Sequence, residues 1–560
     1  MIQTKKIYLG LMFLAVFLVS LVPVFHIWSA VGASWKGIVP EYIEDSSYYY
    51  ARINNVVRGH PFIGNPYFIE HAKSISPAFF VSDWLASAPF VLGIPFNISI
   101  VFNIIFWSEV FVFILYFLFK HFDCSDGESF IFSTLTYIQV FWLFVRPVAM
   151  QVVFPAYGLF LLTLFLWLKE KDNKKKILFV VLSSLYCVYI YTYLLQIVFF
   201  TFIIVFLQFL ISKNWEALKK FIKILFIILA FSIPFLIISY IQISNPLYPE
   251  TINRIGLLYT HIPRMEFYYY GRWVVAVIFL WFLSRKWIPS FKSEENNQIY
   301  NFILITGLGL LVASGSNIIT GRELEISNHI GRFIIWWFGV TFFVYLSIFI
   351  KNYQSQISSL NLYKKICLFL IMLVCIGAMV RNIPRAFPFF KLNKANLVNI
   401  QNYGGPLNWL KENASQPSVV WADDRFSGYV PIYTKDYVLF HPSGVLQLVS
   451  DKELEDRYLV SKFLSGGLTR ADIEREVGLY GGAGKALKGP YMQADFDYMY
   501  NRYQVDIKPN ILKFLTDFKV QYIVIDLDNK TEMTKVKKFP VNEVYNDSHF
   551  VIYKLTTKAI

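Results

Sequence analysis

Val39 to His71 reads VPEYIEDSSYYYARINNVVRGHPFIGNPYFIEH. It begins shortly after a single apolar run, Ile7 to Trp28, that follows Lys5 and Lys6. Three carboxylates, Glu41, Glu44 and Asp45, come just before Tyr48, Tyr49, Tyr50 and Arg52, and a turn from Gly59 to Asn65 closes the stretch. Carboxylates beside rings and a guanidinium suit proton transfer or the binding of a polar substrate. The same residues also suit a solvated loop, or an N-cap for a tyrosine-rich helix.

The flanking chain decides what kind of protein carries this stretch. Of 560 residues, 56% are hydrophobic and 19% aromatic, above the roughly 45–50% apolar usage of soluble domains. Apolar runs of about 18–20 residues recur between short basic loops. We expect about eleven spans, the first at Ile7–Trp28 and the last at Ile366–Val380. Ile7–Trp28 lacks a small-residue cleavage site and reads as a retained span. Ile177–Ile211 is too long for one span and divides near Tyr189, Tyr191 and Tyr193. Pro77–Phe96 carries Asp83, Pro89 and Pro95 and reads as a helical element that does not cross.

Charge gives the orientation. The net charge is +14; the part from Lys391 onward has 22 basic and 20 acidic residues, which leaves +12 to the apolar part. Lys120, Lys169, Lys171, Lys174–Lys176, Lys213, Lys219, Lys220, Arg285, Lys286, Lys292, Lys351, Lys364 and Lys365 all fall in loops of one parity. With the N-terminus cytoplasmic, those loops face the cytoplasm and residues 29–97 form the first extracytoplasmic loop. The charge is topology, not a nucleic-acid surface. The expected fold is an α-helical polytopic membrane domain over 1–384 and a small extracytoplasmic α/β domain over 385–560. The four cysteines offer neither a disulfide framework nor a CxxC site.

The acidic pair Glu44-Asp45, the helix with Tyr49 and Arg52, and the Gly59–Asn65 turn resemble the first outer loop of GT-C glycosyltransferases. The resemblance implies a membrane enzyme that takes a sugar from a polyprenyl-phosphate donor, with inversion. The acceptor would be a glycolipid, glycan or protein at the outer face of the cell membrane. It implies Asp45 and Glu44 as catalytic residues, with Tyr49 and Arg52 beside the substrate. Two outer loops hold the cations expected to bind phosphate: Arg254, His261, Arg264 and Arg272 in one, Arg322, His329 and Arg332 in the other. Arginines on an outer face run against the positive-inside bias and need such a reason, although headgroup contacts or ion pairs such as Arg322 with Glu325 would serve too.

No cofactor is expected. Oligosaccharyltransferases of the family use a divalent ion. Here the loop Arg146–Gln151 (RPVAMQ) lacks a carboxylate, which a hard cation wants. If an ion binds, Asp45, Glu323 and Glu325 would hold it. Trp421-Ala422-Asp423-Asp424 reads as a strand end and a turn, and Gly478–Lys485 (GLYGGAGK) as a flexible loop without phosphate-loop spacing. The rival class is a non-enzymatic transporter or flippase for a lipid-linked glycan. Charges within spans would mark its path, and Glu109 is the main one here.

Overall fold

A computed structural model describes residues 2–42, 45–382, 388–415, 417–464, 467–488, 493–528 and 530–556. Its helices run α1 (Ile2–Val31), α2 (Ser46–Val57), α3 (Val81–Val91), α4 (Phe96–His121), α5 (Asp126–Phe144), α6 (Ala149–Lys169), α7 (Lys174–Ile190) and α8 (Thr192–Ile211). There follow α9 (Trp215–Phe231), α10 (Ile233–Ile243), α11 (Tyr248–Ile255), α12 (Met265–Trp287), α13 (Glu294–Ser314), α14 (Asn317–Thr320), α15 (Ile330–Lys351) and α16 (Leu362–Asn382). Each expected span is a helix, with α9 and α10 together making one. They bend by 54° at Ser232, two residues before Pro234, which has no N–H for the amide ladder.

Among the described residues, eight helices are long and apolar enough to cross a membrane, nine if the bent pair is one span. The two expected spans outside that count are α5 and α7. The helix α7 has 17 residues, and α5 opens with Asp126 and Glu128 in a capping box with Ser125. The protein is a polytopic helical membrane protein. At the division of Ile177–Ile211, Tyr191 is extended (φ −161°, ψ 144°) between α7 and α8. With 11 residues, α3 spans about 17 Å at 1.5 Å per residue, too short to cross.

The chain forms two compact units. The first comprises Met1–His26, Ile100–Ile237 and Tyr259–Lys391. Its centre is α15, which is buried on nearly every side from Ile330 to Tyr345. Small residues let neighbours close on it and on α13. A Cβ on Gly307 would meet the Trp337 ring at 2.9 Å, and one on Gly309 would meet Thr201 at 2.5 Å. Tyr137 of α5 ties α1 and α4 through Ser20 and Ser108, both at 2.9 Å. By contrast, α16 keeps most of its apolar surface exposed, as a lipid-facing helix does.

The second unit comprises Ile27–Ser99, Ile238–Leu258 and Leu392–Ile560. The linear boundary at 384 is therefore revised: the first loop and α11 fold with the C-terminal segment. Backbone satisfaction is the reason. The buried Gln401 amide donates to Ile38 O and accepts from Lys36 N and Ile38 N. Val438 N donates to Tyr67 O at 2.8 Å, and the Tyr67 ring stacks on His441 at 4.8 Å. The Arg457 guanidinium lies between the Phe68 and Phe518 rings and donates to Glu70, Glu453 and Leu439 O.

A five-stranded sheet forms the core of this unit, with β1 (Val419–Trp421), β2 (Tyr437–Val438), β3 (Val520–Asp526), β4 (Val541–Asn546) and β5 (Phe550–Leu555) in the order β2-β1-β3-β5-β4. The β1 pairings are parallel and the β5 pairings antiparallel. After Trp421, Asp423 caps the helix Asp424–Tyr433 through Arg425 N and Phe426 N, as the strand-end reading expects. Gly478–Lys485 departs from expectation. It lies in a helix, Val477–Lys488, kinked at Gly482 (φ +69°). Two of its glycines serve close packing: a Cβ on Gly484 would fall 1.6 Å from Asn253 O, and one on Gly482 2.6 Å from Arg254 O.

Candidate functional site

The residues expected at the site fall in both units, and each unit is described by itself. In the second, Asp45 occupies the N-cap of α2, half-buried, yet its carboxylate makes no capping hydrogen bond. The N-cap role is thus not what holds it there. Glu44 lies outside the described residues. Behind Asp45, α2 is buried from Ser46 to Asn55, including Tyr49 edge-on to Tyr48 at 5.1 Å. The loop is closed by Gly64 (φ +60°), where a Cβ would sit 2.0 Å from Ala72 O. Asn65 Oδ1 then accepts from Tyr67 N and Phe68 N.

Arg52 is a correction. Its guanidinium donates to both Asp83 oxygens at 2.9 and 2.8 Å, to Tyr48 Oη, to Ser76 Oγ and to Phe79 O. Five N–H groups meet five acceptors inside the fold, so Arg52 clamps α2 to the α3 segment instead of offering donors to a phosphate. Arg254 is a second correction. Fully buried, it donates to Val445 O, Gln447 O, Val449 O, Thr251 Oγ1 and Asp451. It staples α11 to the segment that follows β2.

In the first unit, the expected residues separate into two groups. His261, Arg272 and Arg322 support local structure. His261 Nδ1 contacts Ile318 O at 3.0 Å, and Gly321 (φ +68°) leaves room for the imidazole. Arg322 is exposed over the Tyr259 ring, and Arg272 is exposed over Tyr269 and Trp273.

Arg264, His329 and Arg332 belong together, and Arg146 joins them. Burial, then the charges of Arg332, Arg146 and Arg264, hold the His329 imidazole well below its usual range. It is therefore neutral at physiological pH, and its ring packs on Tyr193 at 4.6 Å. Arg264 Nε donates to the buried Glu323 at 2.8 Å, the ion pair actually made in place of Arg322 with Glu325. Burial pushes the Glu325 carboxyl up to about 7, against the lowering effects of hydrogen bonds from Tyr193 and Thr192 and of Arg332. A Cβ on Gly331 would fall 2.2 Å from the Tyr270 ring, so glycine there lets the ring close over the start of α15.

Arg146 was not among the residues expected at the site. Its signal was present as the one charge between Glu128 and Lys169, on a loop of outer parity where the bias runs against arginine. It sits in the turn before α6, whose N-cap Val148 has φ +62°, a strained conformation for a β-branched residue. Arg146 and Arg332, with Arg264 held on Glu323, set positive charge at a neutral imidazole, and positive charge of this kind suits a phosphate.

No family model and no curated protein matches the chain. The chain is similar to ArnT from Cupriavidus metallidurans. The apo crystal structure of ArnT aligns with 96% of this chain and 97% of its own at 9% identity and a TM-score of 0.47. ArnT bound to undecaprenyl phosphate aligns with 97% of this chain and 98% of its own, at 9% identity and a TM-score of 0.42. No residue here takes its role from ArnT.

Among the described residues, no group of three or more His, Cys, Asp or Glu is placed to hold a metal ion. Of the carboxylates considered as ligands, Glu323 is bound to Arg264 and Glu325 faces Arg332. Neighbouring guanidiniums raise the cost of bringing a divalent cation to either.

Proposed function

We propose that this protein is a GT-C type glycosyltransferase that moves a sugar from a polyprenyl-phosphate donor to a glycolipid, glycan or protein acceptor. The observation that carries the reading is the positive charge that Arg332, Arg146 and Arg264 set at the buried His329, with Arg264 anchored on Glu323 at 2.8 Å. Such a group stabilises a phosphate as it leaves with the electron pair of the broken C1–O bond. Asp45, in the second unit, is the residue proposed to take the acceptor hydroxyl proton as the glycosidic bond forms, and transfer inverts the anomeric centre. Transfer assayed with a labelled polyprenyl-phosphate sugar tests it, together with mass spectrometry of surface glycans and glycolipids from a deletion strain. Unchanged glycans and no transfer would end the proposal.

The N-terminus is cytoplasmic and the C-terminal domain extracytoplasmic in this reading, in the cell membrane, on the support of the loop charges. A cysteine at position 174 is then expected to resist labelling from outside intact cells, and one at position 485 to be labelled. The reverse pattern would invert the topology.

The mechanism is metal-independent, supported by the arginine partners of Glu323 and Glu325. Chelation with EDTA is expected to leave transfer intact; loss of activity restored by Mn²⁺ or Mg²⁺ would reverse this.

Donor affinity should depend on pH. Below about 7 Glu325 is protonated and the cluster is more cationic; above it, ionised Glu325 opposes an anionic ligand. A phosphodiester donor does not itself titrate there, and neutral His329 does not contribute. Affinity is expected to fall by up to about tenfold as pH rises through this window, one pKa unit of coupling being about 1.4 kcal/mol. Glu325→Gln should flatten the profile, and a profile unchanged in that variant would remove Glu325 from the site.

A further inference from the structure

A cavity of about 810 Å³ opens within the second unit, walled by the C-terminal end of α2, the start of α4 and the segment joining the helix Asp424–Tyr433 to β2. Arg58, His60, Lys411 and Lys435 line it, with the rings of Phe96 and Tyr433 meeting edge to face at 5.7 Å. None of the described lining residues is acidic. The notable group is Arg58. Its Nη2 donates to Pro431 O at 2.9 Å, near the end of the helix Asp424–Tyr433, where Asn54 also donates. Its Nε and Nη1 are buried and have no hydrogen-bond partner among the described residues.

Burial pulls the Arg58 guanidinium down to about 10, so it is still charged at neutral pH. Asp436 and Tyr437 lie near enough to favour that charge, but among the described residues no ion pair closes on it. A desolvated cation with open donors is costly unless something supplies acceptors. The cavity is within the roughly 300–1,000 Å³ of small-molecule sites, far more than an inorganic ion fills.

We propose that this cavity binds an anionic saccharide, its phosphate or carboxylate on the open edge of Arg58 and its ring against Phe96 and Tyr433. The inference rests on the glycosyltransferase reading only in making that saccharide the acceptor. Lys435 and Lys411, both exposed, stand at the rim and draw the anion in.

The experiment is equilibrium binding to the purified full-length protein, with no donor present. Glucose 6-phosphate and glucuronate are the anionic probes; glucose and inorganic phosphate are the fragments. Both anionic sugars should bind, and each fragment at least about tenfold more weakly, as losing one charged hydrogen-bonding group implies. Arg58→Gln should cost at least about tenfold. Lys435→Glu, an exposed change that leaves the fold intact, should weaken binding in the same direction and serves if Arg58→Gln fails to fold. Equal binding of glucose and glucose 6-phosphate would overturn the anion role, and equal binding of inorganic phosphate the saccharide role. Absence of binding, or indifference to both substitutions, would overturn the site. A chain that transfers sugar but binds no probe loses only this inference. One that binds the probes but transfers nothing loses the glycosyltransferase reading instead.

Discussion

Asp45→Asn is expected to abolish transfer while leaving folding and donor binding nearly intact. Asparagine keeps the size and one acceptor oxygen but cannot take a proton, and loss of a general base costs about 10²–10⁴ in rate. The structure sharpens the test. Asp45 stands at the N-cap of α2 without capping it, so the substitution does not remove a cap worth about 1 kcal/mol. A fall in kcat with unchanged thermal stability is the expected result. Glu44→Gln is the paired control, and if it alone stops turnover the roles are reversed. If neither slows turnover by about tenfold while Arg264→Ala or Arg332→Ala does, no base works here, and the flippase class gains over the enzyme.

Arg254→Leu is expected to destabilise the second unit by about 3–5 kcal/mol, the range for breaking a buried charged network by removing one partner. The guanidinium is 0% exposed and holds Val445 O, Gln447 O, Val449 O, Thr251 and Asp451. Leucine leaves three carbonyls and a carboxylate without that donor. The helix Val477–Lys488 packs on the same turn through Gly482 and Gly484, so the damage should spread. Chemical denaturation of the purified protein reads it. A phosphate-binding Arg254 would give the opposite pattern, with donor affinity lost and stability kept. Arg322→Leu is the contrast: exposed over Tyr259, it should stay within about 0.5 kcal/mol of the parent.

The difference between those two arginines is the general lesson. Both lie in outer loops with tyrosines nearby, and sequence treats them alike. One is enclosed by backbone carbonyls from residues nearly two hundred positions away; the other lies on the surface. Arg52 is the same case: Asp83 read as a reason to deny Pro77–Phe96 a span, and it is the partner that uses up the guanidinium. The glycines of Gly478–Lys485 looked like a mobile loop, because close packing against Asn253 and Arg254 leaves no mark in local composition.

What the sequence by itself determined was everything governed by local period and solvent. Apolar runs set the membrane helices, the tyrosines near Tyr191 the break between α7 and α8, and Trp421 the end of a strand. Only tertiary structure decided that the first loop, α11 and the C-terminal segment are one body, and which cations are staples. Only it drew Arg146 to His329. The physical reason is that a helix or strand satisfies its own backbone from near neighbours, whereas a buried guanidinium needs acceptors that distant segments supply.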